Sequence, residues 1–478
     1  MEFILNDRSI KTDKPGGMTL LDFVRYEKHL MGTKIGCREG DCGACTVLIG
    51  SLSGDKMNYI SMTSCITPLA NAAGKHVVTI EGLNMPELSP VQKAFVDAGA
   101  TQCGFCTVGF IVSLSGYCLT AKKPSYEDAI SAIDGNICRC TGYKSIERAT
   151  VSLVSKLNEI NSKDQIQWLV RERFIPYYFQ TIPERLALII SPPPTPRPPL
   201  ASPALHLRGA GKVIVGGGTD LYVQRPEELE TGDVNTFFDR SDLSGISVND
   251  TDCFVGASST VTDLLQSSEI NNLFPKLNKY GKLISSTPIR NMGTVGGNLV
   301  NASPIGDMTI FFLALDSAVT LRKTTGEKRT ILLRDFYLKY KTIDKAEDEF
   351  IEALSFNTFG KDTYFNFEKV SKRTNLDIAS VNSAIQLTLK GDVIQQVHLS
   401  AGGVGPIPLY LKKTSAFLTG KELSHDTVIA SIEVMMAEIS PISDARGSKE
   451  YKGLLLRQLL FAHFIELFPK EFEMEQFA

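Results

Sequence analysis

Apolar and polar residues alternate in short runs at the start of the chain. In the first 75 residues these runs predict three strands, at residues 2–5, 45–49 and 59–62. Residues 20–30 instead have helical spacing, with Thr19 placed to cap the helix and Asp22 in its first turn. The beginning of the chain is therefore expected to combine short strands and turns with one helix.

From residue 76 the apolar spacing becomes helical. Predicted helices occupy residues 89–98, 107–119 and 144–160. Ser125 and Asp128 have the spacing of a capping box that opens a further helix, which Gly135 would end. The proline-rich run 191–200 favours neither helix nor sheet, and it predicts a linker between domains.

Strand and helix patterns mix in the rest of the chain. Residues 213–215 read as a buried strand that runs into three consecutive glycines. Further strands are predicted at 384–389 and 397–399, and late helices at 426–439 and 449–467. Since 478 residues exceed what one hydrophobic core holds, about three domains are expected.

Composition and charge exclude several classes of protein. The net charge of −3 gives no support for a nucleic-acid partner, and no run of about 18 apolar residues suggests a membrane span. The first residues lack the basic start and apolar core of a secretion signal, so we expect a cytoplasmic protein. Structural disulfides are rare in that reducing compartment, yet the chain has 10 Cys, of which nine precede residue 141. This concentration points to metal ligation in an N-terminal unit.

The first cysteine set has the spacing of plant-type ferredoxins. Four residues separate Cys37 from Cys42, two separate Cys42 from Cys45, and nineteen separate Cys45 from Cys65. A [2Fe–2S] cluster needs two thiolates for each iron, which a tight loop and one distant residue can supply. The alternatives are a zinc knuckle or buried free thiols, but zinc usually takes paired Cys-x2-Cys units.

The second set consists of two short pairs, Cys103 with Cys106 and Cys138 with Cys140. Such pairs could hold zinc or a cluster. Each pair precedes a predicted helix, whose free N–H groups and positive potential suit an anionic cluster. The two remaining cysteines, Cys118 and Cys253, are expected to be core residues.

The motifs around both sets resemble those of the molybdenum hydroxylase family. The similar segments are residues 37–45, 102–106 and 136–143. The resemblance implies a multidomain α+β protein with a β-grasp [2Fe–2S] ferredoxin domain (1–75), a four-helix [2Fe–2S] domain (76–160), a proline-rich linker (161–204), an α/β FAD-binding domain (205–356) and a C-terminal α+β flavoprotein domain (357–478). It also implies that Gln102 contacts the pterin, although a helix-capping or surface amide is the alternative.

Two glycine-rich segments, about 80 residues apart, are candidates for binding FAD. The first follows a strand and lacks the third glycine of the dinucleotide fingerprint and the lysine of a phosphate-binding P-loop, so a tight turn without ligand is the alternative. The second alternates glycines with short polar side chains. Both resemble the FAD domain of the same family, and the predicted contacts are Lys212, Val213, Ile214, Val215, Gly216, Gly217, Gly218, Thr219, Asp220, Thr294, Gly296, Gly297, Asn298, Ser303 and Asp307. Lys369 matches a flavin-contacting lysine of the family, with a solvated surface lysine as the alternative.

Together these features predict an electron-transfer subunit rather than a complete hydroxylase. The resemblance implies electron flow from molybdopterin, on a large partner subunit, through the second and first clusters to FAD and then to NAD. We expect a dimer of heterodimers and, for the partner, xanthine dehydrogenase activity on hypoxanthine and xanthine. The alternatives are the equivalent subunit of an aldehyde or other N-heterocycle hydroxylase, a stand-alone NADH-linked iron–sulfur flavoprotein, and a non-catalytic zinc-binding protein.

Overall fold

The computed structural model describes residues 1–160, 164–190, 213–232, 234–373 and 376–477. The chain divides into two compact units. Of the described residues, the first unit contains 1–160, 164–190, 213–232, 234–238 and 286–293, and the second contains 239–285, 294–373 and 376–477. Among the described residues, no helix has both the length and the apolarity needed to cross a bilayer.

The first unit opens with a five-stranded mixed sheet. Its spatial order is Arg8–Lys11, Glu2–Leu5, His76–Val78, Thr46–Ser53, Lys56–Thr63. Only the pairing of the Glu2–Leu5 and His76–Val78 strands is parallel. Thr19 caps the helix as predicted, accepting a hydrogen bond from the Asp22 N–H at 3.1 Å. The prediction of a helix to residue 30 was wrong. An α-helical turn at Leu20–Asp22 continues as a π-helix over Phe23–Glu27, and the helical segment ends there.

Four helices follow the sheet and pack around one apolar core. They span Pro90–Asp97, Thr107–Thr120, Tyr126–Ala132 and Lys144–Leu157. The predicted cap at Ser125 is confirmed, since its side chain accepts from the Asp128 N–H, and Ser89 forms a full capping box with Gln92. The first unit therefore contains the β-grasp and four-helix folds that the family resemblance implied.

The linker prediction over 161–204 was too broad. Helices Gln165–Arg171 and Ile182–Ile190, with a 3-10 turn at Tyr177–Thr181, occupy much of it. Trp168 and Ile182 are buried in hydrophobic clusters of the first unit, so these segments belong to its packed structure. The proline-rich run itself lies outside the described residues.

Two short segments from later in the chain complete the first unit. The strand Ile214–Val215 pairs in parallel with Asn235–Thr236, with helices Leu221–Gln224 and Pro226–Glu230 between them. The helix Thr287–Arg290 packs on the strand Lys56–Thr63.

The second unit begins with a five-stranded antiparallel sheet. The spatial order is Lys328–Leu332, Ala318–Lys323, Glu349–Asn357, Asp252–Gly256, Ile246–Val248. A two-stranded ribbon, Tyr337–Lys339 with Thr342–Ile343, lies outside this sheet. The helices of this part are Val261–Gln266, Ser268–Leu273, Leu277–Leu283, Val295–Asn301, Asp307–Leu313 and Leu333–Phe336.

A four-stranded antiparallel sheet with helices ends the second unit. Its strands follow chain order: Thr363–Val370, Val381–Lys390, Val393–Gly402, Leu409–Tyr410. Three helices follow, Lys412–Leu418, His425–Glu438 and Lys449–Leu467. The last of these has the predicted bounds, and its buried side chains join those of the sheet in one core.

Candidate functional site

The first cysteine set comes together as one connected group of thiols. Cys37 is hydrogen-bonded to the thiols of Cys42 and Cys65, and Cys65 also contacts Cys45. Cys37 and Cys42 lie in the loop before the strand Thr46–Ser53, whereas Cys65 comes from a 3-10 turn after the next strand. The backbone folds so that a tight loop and one distant residue meet, as the spacing predicted.

Hydrogen bonds among these thiols shift their pKa values in opposite directions. Hydrogen bonds from Cys42 and Cys65 hold the pKa of Cys37 well below its usual range, and the donated bonds raise the pKa of Cys42 and of Cys65. Backbone N–H groups of Glu39 and Cys42 also point at the Cys37 Sγ, at 3.3 and 3.4 Å. A two-iron cluster, which needs two thiolates on each iron, fits this arrangement.

The glycines of the first loop are required by its geometry. Gly40 and Gly43 have φ values of +80° and +69°, which side chains disfavour. A Cβ at Gly36 would lie 2.5 Å from the Cys42 Sγ. Replacing these glycines would therefore disturb the loop that carries three of the four thiols.

The second set also assembles from its two pairs. The Cys103 and Cys140 sulfurs lie 3.7 Å apart, and the Cys106 thiol is hydrogen-bonded to Cys138. Burial and this bond raise the pKa of Cys106 to about 12. Cys106 directly precedes the helix Thr107–Thr120, so the helix N-terminus faces the set as expected.

The two sets differ in exposure. In the first set Cys45 and Cys65 are buried, and Cys37 and Cys42 are partly exposed. In the second set Cys103 and Cys140 are exposed, Cys106 is partly exposed, and Cys138 is buried. The remaining two cysteines, Cys118 and Cys253, are fully buried core residues, which confirms their prediction.

Gln102 lies at the exposed second set. Its side-chain amide donates to the Cys140 carbonyl at 3.2 Å. The side chain is therefore fixed to the loop of the second pair and does not cap a helix. A pterin contact remains a prediction for this residue.

The first glycine loop uses its glycines to pack within its own unit. It follows the strand Ile214–Val215. A Cβ on Gly217 would lie 1.8 Å from the Met292 carbonyl oxygen, and one on Gly218, where φ is +89°, would lie 2.6 Å from the Ile66 carbonyl oxygen. Close backbone packing thus explains both glycines, and phosphate binding remains a prediction for this loop. The predicted contact Lys212 lies outside the described residues.

The polar residues of the second glycine loop organise a helix. Thr294 caps the helix Val295–Asn301 by accepting from the Gly297 N–H at 3.1 Å. Gly296 donates its N–H to the Ala257 carbonyl at 2.8 Å, and a Cβ there would lie 2.9 Å from the Ala257 Cβ. Asn298 accepts from the Thr309 hydroxyl at 3.1 Å. This network fixes the loop whether or not it contacts a ligand.

Lys369 is neither solvated nor unpaired. Its side chain is 1% exposed, and its ammonium group lies 2.7 Å from the Asp307 carboxylate and 2.6 Å from the Leu283 carbonyl. The alternative of a surface lysine was therefore wrong. The structure brings together two predicted site residues that are 62 positions apart.

Asn382 belongs to the same cluster and was missed from the sequence. Its amide donates to Asp307 at 2.6 Å, and its own oxygen is buried without a hydrogen-bond partner among the described residues. The sequence offered no clear signal for this contact, because the strand Val381–Lys390 contains several polar residues and none indicates a particular partner.

Comparison with known protein families assigns a domain type to most of the chain. Residues 3–70 match a 2Fe-2S iron-sulfur cluster binding domain, and residues 79–151 a [2Fe-2S] binding domain. Residues 202–356 match the FAD binding domain in molybdopterin dehydrogenase. Residues 366–467 match the CO dehydrogenase flavoprotein C-terminal domain.

Full-length relatives and a solved structure agree with these assignments. Xanthine dehydrogenase 1 of Arabidopsis thaliana is 27% identical over 96% of this chain, and aldehyde oxidase 1 of Rattus norvegicus is 26% identical over 97%. The chain spans 39% of each of these relatives. Carbon monoxide dehydrogenase from Hydrogenophaga pseudoflava, in a form lacking the Mo-pyranopterin moiety, covers 53% of this chain and 88% of its own, with a TM-score of 0.50 and 24% identity, which supports the fold.

The protein is thus a multidomain iron–sulfur flavoprotein, with two [2Fe–2S] domains followed by an FAD-binding domain and a flavoprotein C-terminal domain. This combination of domains places the chain in the molybdenum hydroxylase family.

Proposed function

We propose that this chain carries electrons for a molybdenum hydroxylase, from a molybdopterin centre on a partner subunit through the second and then the first cluster to FAD, and from there to NAD. The observation that carries the proposal is the difference in exposure of the two thiol sets. Cys103 and Cys140 lie at the surface, where a partner can approach, whereas Cys45 and Cys65 are buried inside the unit. Electrons entering from outside would therefore arrive at the second set.

The surface around the second set suits docking of another subunit. Phe105 and Tyr143 are 46% and 41% exposed, and each belongs to one of the two cysteine motifs. Exposed aromatic side chains are enriched at the centres of protein interfaces. Gln102, fixed on the Cys140 carbonyl, places an amide at this surface and is the proposed pterin contact.

The same residues that were predicted from the sequence are the proposed cofactor ligands and contacts. The eight thiols of the two sets would ligate the clusters, and residues of the two glycine loops and Lys369 are the proposed FAD contacts. When bound, clusters exchange single electrons and a flavin can release an electron pair as hydride. A chain with both would therefore receive electrons one at a time and pass them on in pairs. The chain itself positions these side chains. A backbone N–H group donates to the Cys37 thiol, the helix Thr107–Thr120 begins directly after Cys106, and Asp307 forms an ion pair with Lys369.

Hypoxanthine and xanthine are the proposed substrates of the partner, with NAD as the acceptor and a dimer of heterodimers as the assembly. The similarity to a plant xanthine dehydrogenase supports this choice. Similarity at nearly the same level to an aldehyde oxidase keeps an aldehyde or N-heterocycle hydroxylase as the second candidate.

Purification of the tagged full-length chain from its native cells would test the proposal. We expect a large molybdenum-containing polypeptide to co-purify, and the complex to reduce NAD with xanthine. The isolated chain should reduce dyes with NADH and leave xanthine unchanged. Xanthine turnover by the isolated chain would contradict the assignment of hydroxylation to a partner subunit. Turnover of aldehydes but not xanthine by the complex would favour the second candidate.

A further inference from the structure

The loop from Cys138 to Tyr143, in the second cysteine set, is closed by three hydrogen bonds of its own. The Cys138 N–H donates to the Tyr143 hydroxyl at 3.0 Å, and the Tyr143 N–H donates to the Thr141 hydroxyl at 3.3 Å. The third bond joins the Thr141 hydroxyl to the Cys138 Sγ, at 3.2 Å. The loop therefore brings a side-chain hydroxyl against one sulfur of the second set.

Two consecutive residues of this loop have a left-handed backbone. Gly142 and Tyr143 have φ values of +66° and +68°. Glycine adopts such values readily, but a residue with a side chain seldom does, and it keeps one only where its surroundings hold it. Here Tyr143 is held at both its N–H and its hydroxyl. The turn thus fixes the Thr141 hydroxyl beside Cys138.

The direction of the bond to sulfur follows from what each atom can donate. A hydroxyl has one hydrogen to donate and two lone pairs that accept, and one lone pair of Thr141 takes the Tyr143 N–H. A cysteine that ligates iron is a thiolate and has no hydrogen on its sulfur. With a cluster bound, Thr141 is therefore the donor and the Cys138 sulfur is the acceptor.

Burial makes this bond important for the charge on the sulfur. Cys138 is 4% exposed, whereas Cys103 and Cys140 of the same set are exposed. Water can donate to an exposed sulfur and replace a lost hydrogen bond there, but it has little access to Cys138. Hydrogen bonds to the sulfurs help to set the reduction potential of a cluster, because reduction adds negative charge that a donor stabilises.

We propose that Thr141 is a positioning residue that acts through Cys138: its hydroxyl donates to the ligating thiolate and raises the reduction potential of the second cluster. The proposal rests on the proposed function, since it requires a cluster on the second set. Reduction adds one electron and converts one Fe(III) to Fe(II), no bond breaks, and the Thr141 proton stays on its oxygen. The second set would thereby accept electrons from the molybdopterin centre of the partner subunit more readily.

Four variants isolate the hydroxyl. Thr141→Val removes it and keeps the shape of the side chain, and Thr141→Ala removes it together with the branched carbon. Thr141→Ser keeps both the donor and the acceptor. Thr101→Val is the matched control, because Thr101 lies two residues before Cys103 and its hydroxyl is bonded to the Thr107 hydroxyl, at 2.9 Å, rather than to a sulfur.

The test is an anaerobic titration of the full-length proteins with dithionite, in which electron paramagnetic resonance follows the two cluster signals and iron analysis checks their loading. In Thr141→Val and Thr141→Ala one signal should move to lower potential while the other stays. We expect the equilibrium constant for its reduction to fall about tenfold, which is about 59 mV for one electron. Thr141→Ser and Thr101→Val should match the wild type.

Two wild-type potentials in Thr141→Val, at full iron content, would overturn the proposal. Loss of iron from both Thr141→Val and Thr141→Ala would also overturn it, because the hydroxyl would then be needed to hold the cluster rather than to set its potential. A wild type that gives no cluster signal on reduction would instead overturn the proposed function, so the two failures are distinguishable.

Discussion

Replacing Arg290 with methionine should loosen the segment 286–293 within the first unit. The Arg290 guanidinium, 8% exposed, lies 2.7 Å from the Asp134 carboxylate, and it also donates to the Thr287 hydroxyl at 2.7 Å. Asp134 additionally accepts the Thr287 N–H at 2.6 Å. Removing one partner of a buried ion pair costs about 3–5 kcal/mol. Since Asp134 keeps the Thr287 bond and is 14% exposed, we expect the lower end, about 3 kcal/mol.

Hydrogen exchange of the segment 286–293 measures this cost without requiring two-state unfolding of a protein with cofactors. A loss of about 3 kcal/mol corresponds to roughly hundredfold faster exchange. The double variant Arg290→Met/Asp134→Asn should recover part of it, because an amide needs no counter-ion. Arg185→Met is the control. Its partner Asp7 is 61% exposed, and such surface pairs contribute under about 1 kcal/mol.

The effect of pH provides a further check on the same variant. Burial raises the pKa of Asp134, and Arg290 opposes this. Without Arg290 the pKa of Asp134 should rise further. The loss of stability in Arg290→Met should therefore be complete above this raised pKa and should shrink as acid protonates the Asp134 carboxyl. Exchange as slow as in the wild type would refute the reasoning, as would a double variant no slower than Arg290→Met.

Three more predictions follow from single side chains. Cys106→Ser should lose the iron of the second set while Cys118→Ser keeps all of it, and equal iron content in the two would contradict the ligand assignment. Lys369→Met should leave Asp307 without its cation and lower the amount of FAD released per chain on denaturation; full flavin content would show that the lysine is not needed. Bonding to Arg329 lowers the pKa of Glu349 from 4.5 to about 2, so its contribution to stability is present above pH 4.5 and is lost as pH falls toward 2. Melting temperatures should therefore fall less steeply with acid in Glu349→Gln, and parallel curves would count against this.

Local features were predictable because the residues that create them are neighbours in sequence. Ser125 caps its helix as its spacing indicated, and Cys106 lies at the start of a helix. The helix at Leu20–Asp22 was predicted too long. Past Glu27 the chain turns away, with His29 at φ +55° and the Arg25 guanidinium bound to the Met31 carbonyl at 3.1 Å.

Contacts between distant parts of the chain were not predictable. Arg290 and Asp134 are 156 residues apart, and neither has a sequence neighbour that marks it as half of a buried pair. The same holds for Asn136, whose position in a cysteine motif gave no sign of its bond to Gly43, 93 residues away. Family resemblance identified Lys369, but only the fold shows that Asp307 and Asn382 determine its environment.

Chemical analysis of the purified protein shows directly whether the chain binds two [2Fe–2S] clusters and one FAD. We expect two irons and two sulfides for each of the two cysteine sets, with one FAD, and a visible spectrum that shows both types of chromophore. A chain prepared anaerobically that contained zinc in place of iron, and no flavin, would contradict this expectation.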